Sequence, residues 1–268
     1  MRVAFIGGGV MAEAMLSGAL RSGVFSAAEV RIGEPVEERR RHLEQQYGVS
    51  ATPSNEEATQ GAELIILSVK PQNLEKAMAD LRGKVNESQA VLSIVAGARI
   101  ETLSRGMSHS NIIRVMPNTP AQVGAGMSVW TASPSTTEEQ RQVVERLLGS
   151  LGEGLCVPEE KYIDMATALS ASGPAYVLSF IEALVDAGVY IGMPGDMARR
   201  LVLQTVLGSS VLVKKTGRHP ADLRNMVTSP GGTTAEALLE LEQGAFRGTV
   251  MKAVIAAYRK SRQLGEKA

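Results

Sequence analysis

The sequence predicts an α/β protein in which a doubly wound, mostly parallel sheet is followed by an all-helical domain. Short apolar runs alternate with helical segments in the first half, a glycine-rich turn follows the first run, and no clear strand appears after about residue 159. Continuous apolar strands separated by helices are typical of parallel sheets that are covered on both faces.

The elements of the first half follow from apolar runs and the breaks between them. Six runs are predicted as strands: 3–6, 30–32, 64–69, 90–95, 111–116 and 127–130. Helices are predicted at 11–22, 37–47, 74–81 and 100–104. A polar helix at 136–148 and a short strand at 154–157 complete this half.

The second half is predicted to contain only helices, and we place the domain boundary at residue 158, giving domains 1–158 and 159–268. Segments 174–191 and 197–213 are apolar around most of their circumference, which calls for burial on all sides. Either a second copy of the chain or the first domain could cover them. The predicted helices are 161–170, 174–191, 196–215, 220–227, 233–243 and 246–263.

Composition limits the possible partners of the 268-residue chain. It is 44% hydrophobic and 21% charged, and 28 basic residues balance 28 acidic ones. Bulk charge therefore predicts no binding to nucleic acid or membranes.

No stretch reads as a signal peptide or a membrane span, which predicts a cytoplasmic protein. The single cysteine, Cys156, lies between apolar residues and is expected to be a buried thiol.

A dinucleotide-binding pattern follows the first predicted strand and opens a helix. Gly7, Gly9 and Ala12 occupy the three small-residue positions of G-x-G-x-x-[GA], the fingerprint of a Rossmann-type domain. The glycines allow a tight turn and a close approach of pyrophosphate, and the helix N-terminus offers free N–H groups. The predicted cofactor loop comprises Gly7, Gly8, Gly9, Val10, Met11 and Ala12.

Opposing charges follow the second predicted strand. Glu34 could accept hydrogen bonds from the adenosine ribose and repel a 2′-phosphate, which favours NADH over NADPH. Arg39, Arg40 and Arg41 lie on the next helix. One of them could reach a 2′-phosphate, or all three could form a solvated face.

A second candidate site precedes the helix at 233–243. Its glycines permit unusual backbone angles, its hydroxyls can donate hydrogen bonds, and the helix supplies unpaired N–H groups, which together suit a carboxylate. The alternative is an ordinary helix N-cap. The candidate substrate residues are Ser229, Gly231, Gly232, Thr233 and Thr234.

Five segments together carry a family resemblance: 5–12, 69–72, 116–120, 172–176 and 228–234, which read FIGGGVMA, VKPQ, MPNTP, SGPAY and TSPGGTT. Over essentially its whole length the chain resembles the pyrroline-5-carboxylate reductases. The resemblance implies a Rossmann domain followed by an all-helical dimerisation domain, with dimers that can assemble further as pentamers of dimers.

The resemblance also implies the reaction, in which NADPH or NADH gives a hydride to the C5 imine carbon of 1-pyrroline-5-carboxylate and L-proline is formed. It assigns the catalytic role to Thr234, whose hydroxyl would bond the ring nitrogen, and the carboxylate to the loop that begins at Ser229. Further implied cofactor-binding residues are Asn55, Val69, Lys70, Pro71, Ala96, Gly97, Met116, Pro117 and Asn118.

Simpler roles stay open for some of these residues. Lys70 could be a strand-end charge, Pro71 and Pro117 could only terminate strands, and Asn118 could cap a turn.

Other functions are disfavoured by what the sequence lacks. No His, Cys and carboxylate cluster has metal-ligand spacing, so no metal site is predicted, and His42, His109 and His219 are expected at the surface. A β-hydroxyacid dehydrogenase would usually need a lysine base in a recognisable motif, and no lysine of this sequence lies in one. A deazaflavin-linked NADP reductase would not explain the 229–234 loop. A non-catalytic nucleotide sensor could have lost Thr234, which is present.

Overall fold

A computed structural model describes residues 1–267, which divide into two compact units. The first unit consists of Met1–Ser172 and the chain from Ala256 onward, and the second is Gly173–Ile255. The segment 161–171, a short helix and a π-helical turn, belongs to the first unit. The division at 158 stays a prediction about where the domains meet.

One eight-stranded sheet forms the framework of the first unit. Its strands are β1 (Val3–Ile6), β2 (Val30–Gly33), β3 (Ser50–Thr52), β4 (Leu64–Leu67), β5 (Ala90–Ser93), β6 (Ile112–Met116), β7 (Gly126–Ala132) and β8 (Gly152–Cys156). Their spatial order is β3-β2-β1-β4-β5-β6-β7-β8. Neighbouring strands are parallel except β6 and β7, which pair antiparallel. The predicted doubly wound, mostly parallel sheet is confirmed.

The strand order reverses at β1, which pairs in parallel with β2 on one side and with β4 on the other. In open α/β sheets, ligands bind beyond the carboxyl ends of the strands at such a reversal. Gly7, Glu34 and Ser68 directly follow β1, β2 and β4. The sheet therefore brings these residues to its ligand-binding edge.

Helices cover both faces of the sheet. Because side chains alternate along a strand, β1 sends Val3 and Phe5 into one core, and Ala4 and Ile6 into the other. The first core is completed from α1, α2 and α6, and the second from α3, α4 and α5. These helices are α1 (Val10–Arg21), α2 (Glu37–Tyr47), α3 (Asn55–Thr59), α4 (Leu74–Leu81), α5 (Ile100–Met107) and α6 (Glu138–Gly149).

Two elements of the first unit were missed from the sequence. β3 is a polar edge strand of three residues, and α3 has only five residues, so neither shows a readable apolar period. Two burial predictions were also wrong. Cys156 is exposed because β8 is the outermost strand. His109 is buried, with Nε2 2.9 Å from the Gln89 carbonyl oxygen, and burial lowers its pKa.

The second unit is helical, as predicted. Its two longest complete helices, α8 and α9, approach closely where Gly188 meets Ala198, since a Cβ at Gly188 would lie 2.9 Å from the Ala198 Cβ. The rings of Phe180 and Phe246 pack in a tilted arrangement with their centroids 5.9 Å apart. The helices after β8 are α7 (Lys161–Ala166), α8 (Gly173–Tyr190), α9 (Gly195–Thr216), α10 (Pro220–Met226), α11 (Thr233–Gln243) and α12 (Phe246–Lys267).

One expectation about membranes is corrected. Within the part of the chain that the structure describes, the helical run Lys161–Tyr190 has the length and apolar composition of a membrane span. Its apolar window is 6% buried in the isolated chain. Length and composition alone are weak evidence for a span, since a helix that packs against another protein surface passes the same test.

Candidate active site

The turn after β1 requires glycine at its first position. Gly7 has a φ of +95°, and a Cβ there would lie 3.0 Å from the carbonyl oxygen of Ser68. The Gly7 N–H donates to the Gly33 carbonyl at 2.8 Å, and the Ser68 hydroxyl donates to the Gly7 carbonyl at 2.8 Å. Sequence reasoning assigned no role to Ser68, which ties the ends of β1 and β4 together.

The third position of the turn has room for a ligand. Gly9 is the N-cap of α1, no side chain caps the helix, and a Cβ on Gly9 would meet no atom within 4 Å. The exposed helix N-terminus provides amide donors and a partial positive charge. Ala12 is buried one turn later, as close packing of α1 on the sheet requires. These residues fit the pyrophosphate of a dinucleotide.

The middle peptide of the turn is held at both ends. The Gly8 N–H donates to Glu34 Oε2 at 2.8 Å, and Arg39 Nε donates to the Gly8 carbonyl at 2.5 Å. A Cβ at Gly8 would lie 2.7 Å from Leu43 Cδ1. The conformation of the glycine turn therefore depends on side chains that follow β2, a contact that the linear pattern could not reveal.

The structure gives Glu34 a role besides the predicted contact with ribose. Glu34 is 9% exposed. Its carboxylate Oε1 accepts the Val36 N–H at 2.9 Å, and Oε2 accepts the Gly8 N–H. Each carboxylate oxygen has a second lone pair. A ribose hydroxyl could therefore still bind, but the carboxylate also positions the turn.

The three arginines of α2 differ in their surroundings. Arg39 bonds the Gly8 carbonyl, and Arg40 Nη1 donates to the carbonyls of Glu34 and Pro35 at 2.7 and 2.8 Å. Arg41 is exposed and pairs with a glutamate one turn earlier. Only Arg41 thus matches the predicted solvated face, while Arg39 and Arg40 bond backbone carbonyls that follow β1 and β2.

The predicted residues beyond β3 and β4 surround this edge. The amide of Asn55 lies against Gly33 and donates to Asp80 Oδ2 at 2.9 Å. Val69 Cγ1 would be 3.2 Å from a Cβ on Gly7, so Val69 lines the same turn. Lys70 is exposed and precedes the 3-10 turn Pro71–Asn73.

The predicted residues beyond β5 and β6 have structural partners. Gly97 has a φ of +79°, and a Cβ there would be 3.0 Å from Leu264 Cβ on α12; Ala96, just before it, is half-buried. Met116 and Pro117 are buried at the end of β6. The Asn118 amide accepts the Met127 N–H at 2.8 Å and donates to the Ser170 carbonyl at 3.3 Å.

A buried ionic cluster beside these residues was missed. Arg114, in the middle of β6, is 1% exposed and pairs with Glu160 and Asp164, each at 2.8 Å. Glu160 Oε1 also accepts the Ile100 N–H at 2.8 Å. An arginine inside an otherwise apolar strand was the available signal, because such a charge needs a buried partner.

The second candidate site lies in the second unit, at the N-terminus of α11. Gly231 has a φ of +64°, and the N-cap Gly232 donates its N–H to the Ser229 carbonyl at 3.1 Å. A Cβ at Gly232 would overlap the Ser229 hydroxyl. Among the described residues, no partner is seen for the N–H groups of Thr233 and Thr234. Two amides and nearby hydroxyls thus remain available to an anion.

Comparisons with known proteins cover both halves of the chain. Residues 160–264 match the family model described as pyrroline-5-carboxylate reductase dimerisation. Residues 2–97 match the model described as NADP oxidoreductase, coenzyme F420-dependent.

The similar proteins match nearly the full chain. A pyrroline-5-carboxylate reductase of Glycine max is 44% identical over 97% of this chain and 94% of its own length. One from Synechocystis is 43% identical over 100% and 99%. A crystal structure of the Plasmodium falciparum pyrroline carboxylate reductase with NADP bound has a TM-score of 0.90 at 33% identity, covering 99% of this chain and 98% of that one.

Proposed function

This chain belongs to the pyrroline-5-carboxylate reductase family and is an NAD(P)H-dependent oxidoreductase, and we propose from that premise which of its residues act. The family reaction transfers a hydride to the C5 imine carbon of 1-pyrroline-5-carboxylate and gives L-proline, the last step of proline biosynthesis. The observation that carries the function is the match to reductases over nearly the whole length of both chains.

The glycine turn is proposed to hold the pyrophosphate of the cofactor. The open space at Gly9 and the uncapped N-terminus of α1 support this role. Reduced nicotinamide, when bound, supplies the hydride. We assign the adenine side to Asn55 and the neighbouring wall to Val69, Lys70 and Pro71. Residues Ala96, Gly97, Met116, Pro117 and Asn118 are assigned to the nicotinamide side.

The loop before α11 is proposed to hold the substrate carboxylate. Gly231 and Gly232 shape a backbone on which the amides of Thr233 and Thr234 can donate to an anion, and the Ser229 hydroxyl adds a further donor. The loop contains no lysine or arginine, so dipoles and not a formal charge would bind the carboxylate.

Thr234 is proposed as the catalytic residue. Its hydroxyl would bond the ring nitrogen and orient the imine for hydride attack at C5. A threonine hydroxyl is too weak an acid to protonate the ring nitrogen, so the proton would come from the substrate or solvent. The protein thus contributes alignment and polarisation, and the cofactor contributes the reducing power.

NADH is proposed as the preferred cofactor. The Glu34 carboxylate at the end of β2 would repel a 2′-phosphate, and this supports NADH. Arg39 and Arg40 lie at the same edge and support NADPH, as does the NADP in the Plasmodium relative. The cofactor choice therefore depends on the local balance of these charges.

The chain self-associates through its dimerisation segment, and we propose a dimer that assembles further into a pentamer of dimers. Exposed apolar side chains on α8 and α9 support a protein partner for these helices. We further propose a soluble, cytoplasmic enzyme, in which a second copy covers the apolar run 161–190 and no membrane does.

The test follows the absorbance of reduced nicotinamide while the protein is mixed with pyrroline-5-carboxylate and either NADH or NADPH. Faster oxidation of NADH would support both the reaction and the Glu34 interpretation. Oxidation of NADPH alone would keep the reaction and reject the NADH preference. Folded protein that binds nucleotide but oxidises neither would instead favour a nucleotide sensor or another cyclic imine.

A further inference from the structure

One carboxylate of the first unit links the cofactor turn to the helix after β2. Glu13, on the first turn of α1, accepts a hydrogen bond from Arg39 Nη2 at 2.5 Å and from the Tyr47 hydroxyl at 2.9 Å. His42 Nε2 lies 2.8 Å from the same carboxylate. All three partners are on α2, so one side chain of α1 binds three successive turns of the neighbouring helix.

The Glu13 carboxylate is ionised at neutral pH. Partial burial raises its pKa, but the hydrogen bonds from His42, Arg39 and Tyr47 outweigh burial and lower the pKa to about 2. The side chains of Glu13 and Arg39 are only 23% and 26% exposed. The two opposite charges are therefore partly shielded from water, and their attraction is stronger there than at an open surface.

The guanidinium that pairs with Glu13, that of Arg39, also contacts the glycine turn. Arg39 uses Nε for the Gly8 carbonyl and Nη2 for Glu13. On the other side of the Gly8 peptide, Glu34 accepts the N–H. The Gly8 peptide thus lies between Glu34 and Arg39, and Arg39 is paired with Glu13, at the edge where the ribose of a dinucleotide is expected.

We propose that Glu13 is a positioning residue that sets the cofactor preference by neutralising Arg39 and holding it away from a 2′-phosphate. This inference rests on the proposed dinucleotide site at the glycine turn. While the ion pair persists, Arg39 offers little net charge to the additional phosphate of NADPH, and the Glu34 carboxylate dominates. Without Glu13, an uncompensated guanidinium lies beside the turn and favours the phosphorylated dinucleotide.

The test is Glu13→Gln in the full-length protein, since glutamine keeps the size and one acceptor oxygen but removes the charge. Dissociation constants for NADH and NADPH are measured by fluorescence titration, which needs no turnover. The NADPH-to-NADH affinity ratio is expected to rise roughly two- to fivefold, the upper part of the range measured for ion pairs near the surface. The rise should shrink at high salt.

Two further variants assign the effect to Arg39. Glu44→Gln removes a carboxylate of α2, the helix that carries Arg39. The Glu44 carboxylate accepts the Ala51 N–H and has no recorded bond to Arg39, so this variant should leave the affinity ratio unchanged. In an Arg39→Gln background, Glu13→Gln should no longer change the ratio.

Several outcomes would overturn the inference. They are an unchanged ratio, an equal rise in Glu44→Gln, a rise that persists without Arg39, or a parallel loss of both affinities, which would indicate a purely structural role. A wild-type protein that binds neither nucleotide would instead overturn the proposed cofactor site, and with it this inference.

Discussion

The two units of the chain differ in how completely they bury their apolar residues. In the first unit, strands β1 and β4 are buried along their full length, and helices cover both faces of the sheet. In the second, α8 and α11 have no buried residue, and α9 has only Ala198. The first unit therefore completes its own core, while the second needs a partner surface to gain the same stabilisation.

The largest effect should come from opening the core of the first unit. Trp130 on β7 is 2% exposed, and Trp130→Ala is expected to lower the free energy of unfolding by about 3–5 kcal/mol through lost burial and a cavity. Chemical denaturation measures this loss. Val123→Ala, at a residue that is 79% exposed, is the control and should cost less than about 0.5 kcal/mol. Equal losses would contradict the comparison.

A charge on α9 should test whether the second unit depends on a partner. Leu207 is 59% exposed in the isolated chain, and Leu207→Glu is expected to weaken self-association by about 2–4 kcal/mol. Light scattering across a dilution series would show smaller particles, and the melting temperature would fall with dilution. Lys215→Glu, near the end of the same helix, should have little effect. An unchanged particle size for Leu207→Glu would place the interface elsewhere.

Substitutions in the loop before α11 should separate the chemical contribution proposed for the second unit from the nucleotide binding proposed for the first. Thr234→Ala is expected to lower kcat/KM by a factor that corresponds to about 1–3 kcal/mol of lost transition-state stabilisation, the value of a hydrogen bond to a charged group. Cofactor affinity should stay unchanged. Thr228→Ala removes a hydroxyl that donates to the Arg224 carbonyl at 2.8 Å, and serves as the control for loop damage. Unchanged turnover and substrate affinity for Thr234→Ala would reject the assigned role.

The smallest effect should be a pH dependence in the first unit. The pKa of Glu13 is about 2 in the folded protein, below its ordinary value of 4.5, so the ionised carboxylate stabilises the folded state. This contribution is complete above the ordinary pKa and is lost as the pH falls from there towards about 2. Urea titrations across that window should give a shallower decline for Glu13→Gln than for the wild type. Parallel declines would assign the acid sensitivity to other groups.

Sequence patterns identified the strongly periodic elements and the glycine turn, but not the contacts that support them. The apolar runs that became β1, β4, β5 and β6 lie within the predicted ranges, because burial on both faces demands continuous apolar residues. β3 and α3 are too short to show a period. At the site, the positions of Gly7 and Gly9 were readable, whereas the contacts of Arg39 with Gly8 and of Glu34 with Val36 were not.

Burial at the edges of the molecule was also beyond the sequence. Cys156 has apolar neighbours but lies on the outermost strand, and His109 is in a polar segment but is enclosed. The run 161–190 has the composition of a membrane span and lies within the segment that matches the dimerisation model. In each case the local composition is compatible with several environments, and only the position in the fold distinguishes them.

The sequence by itself determined the fold class, the family and the positions of the two glycine-containing loops that are proposed to bind cofactor and substrate. These features depend on local patterns: apolar period, glycine placement and the residues that open a helix. Only the tertiary structure decided that Glu34 and Arg39 hold opposite ends of the Gly8 peptide, that Glu13 balances Arg39, and that Arg114 is buried between two carboxylates. Such contacts join residues far apart in the chain, and their strength depends on burial and distance, which a linear pattern does not record.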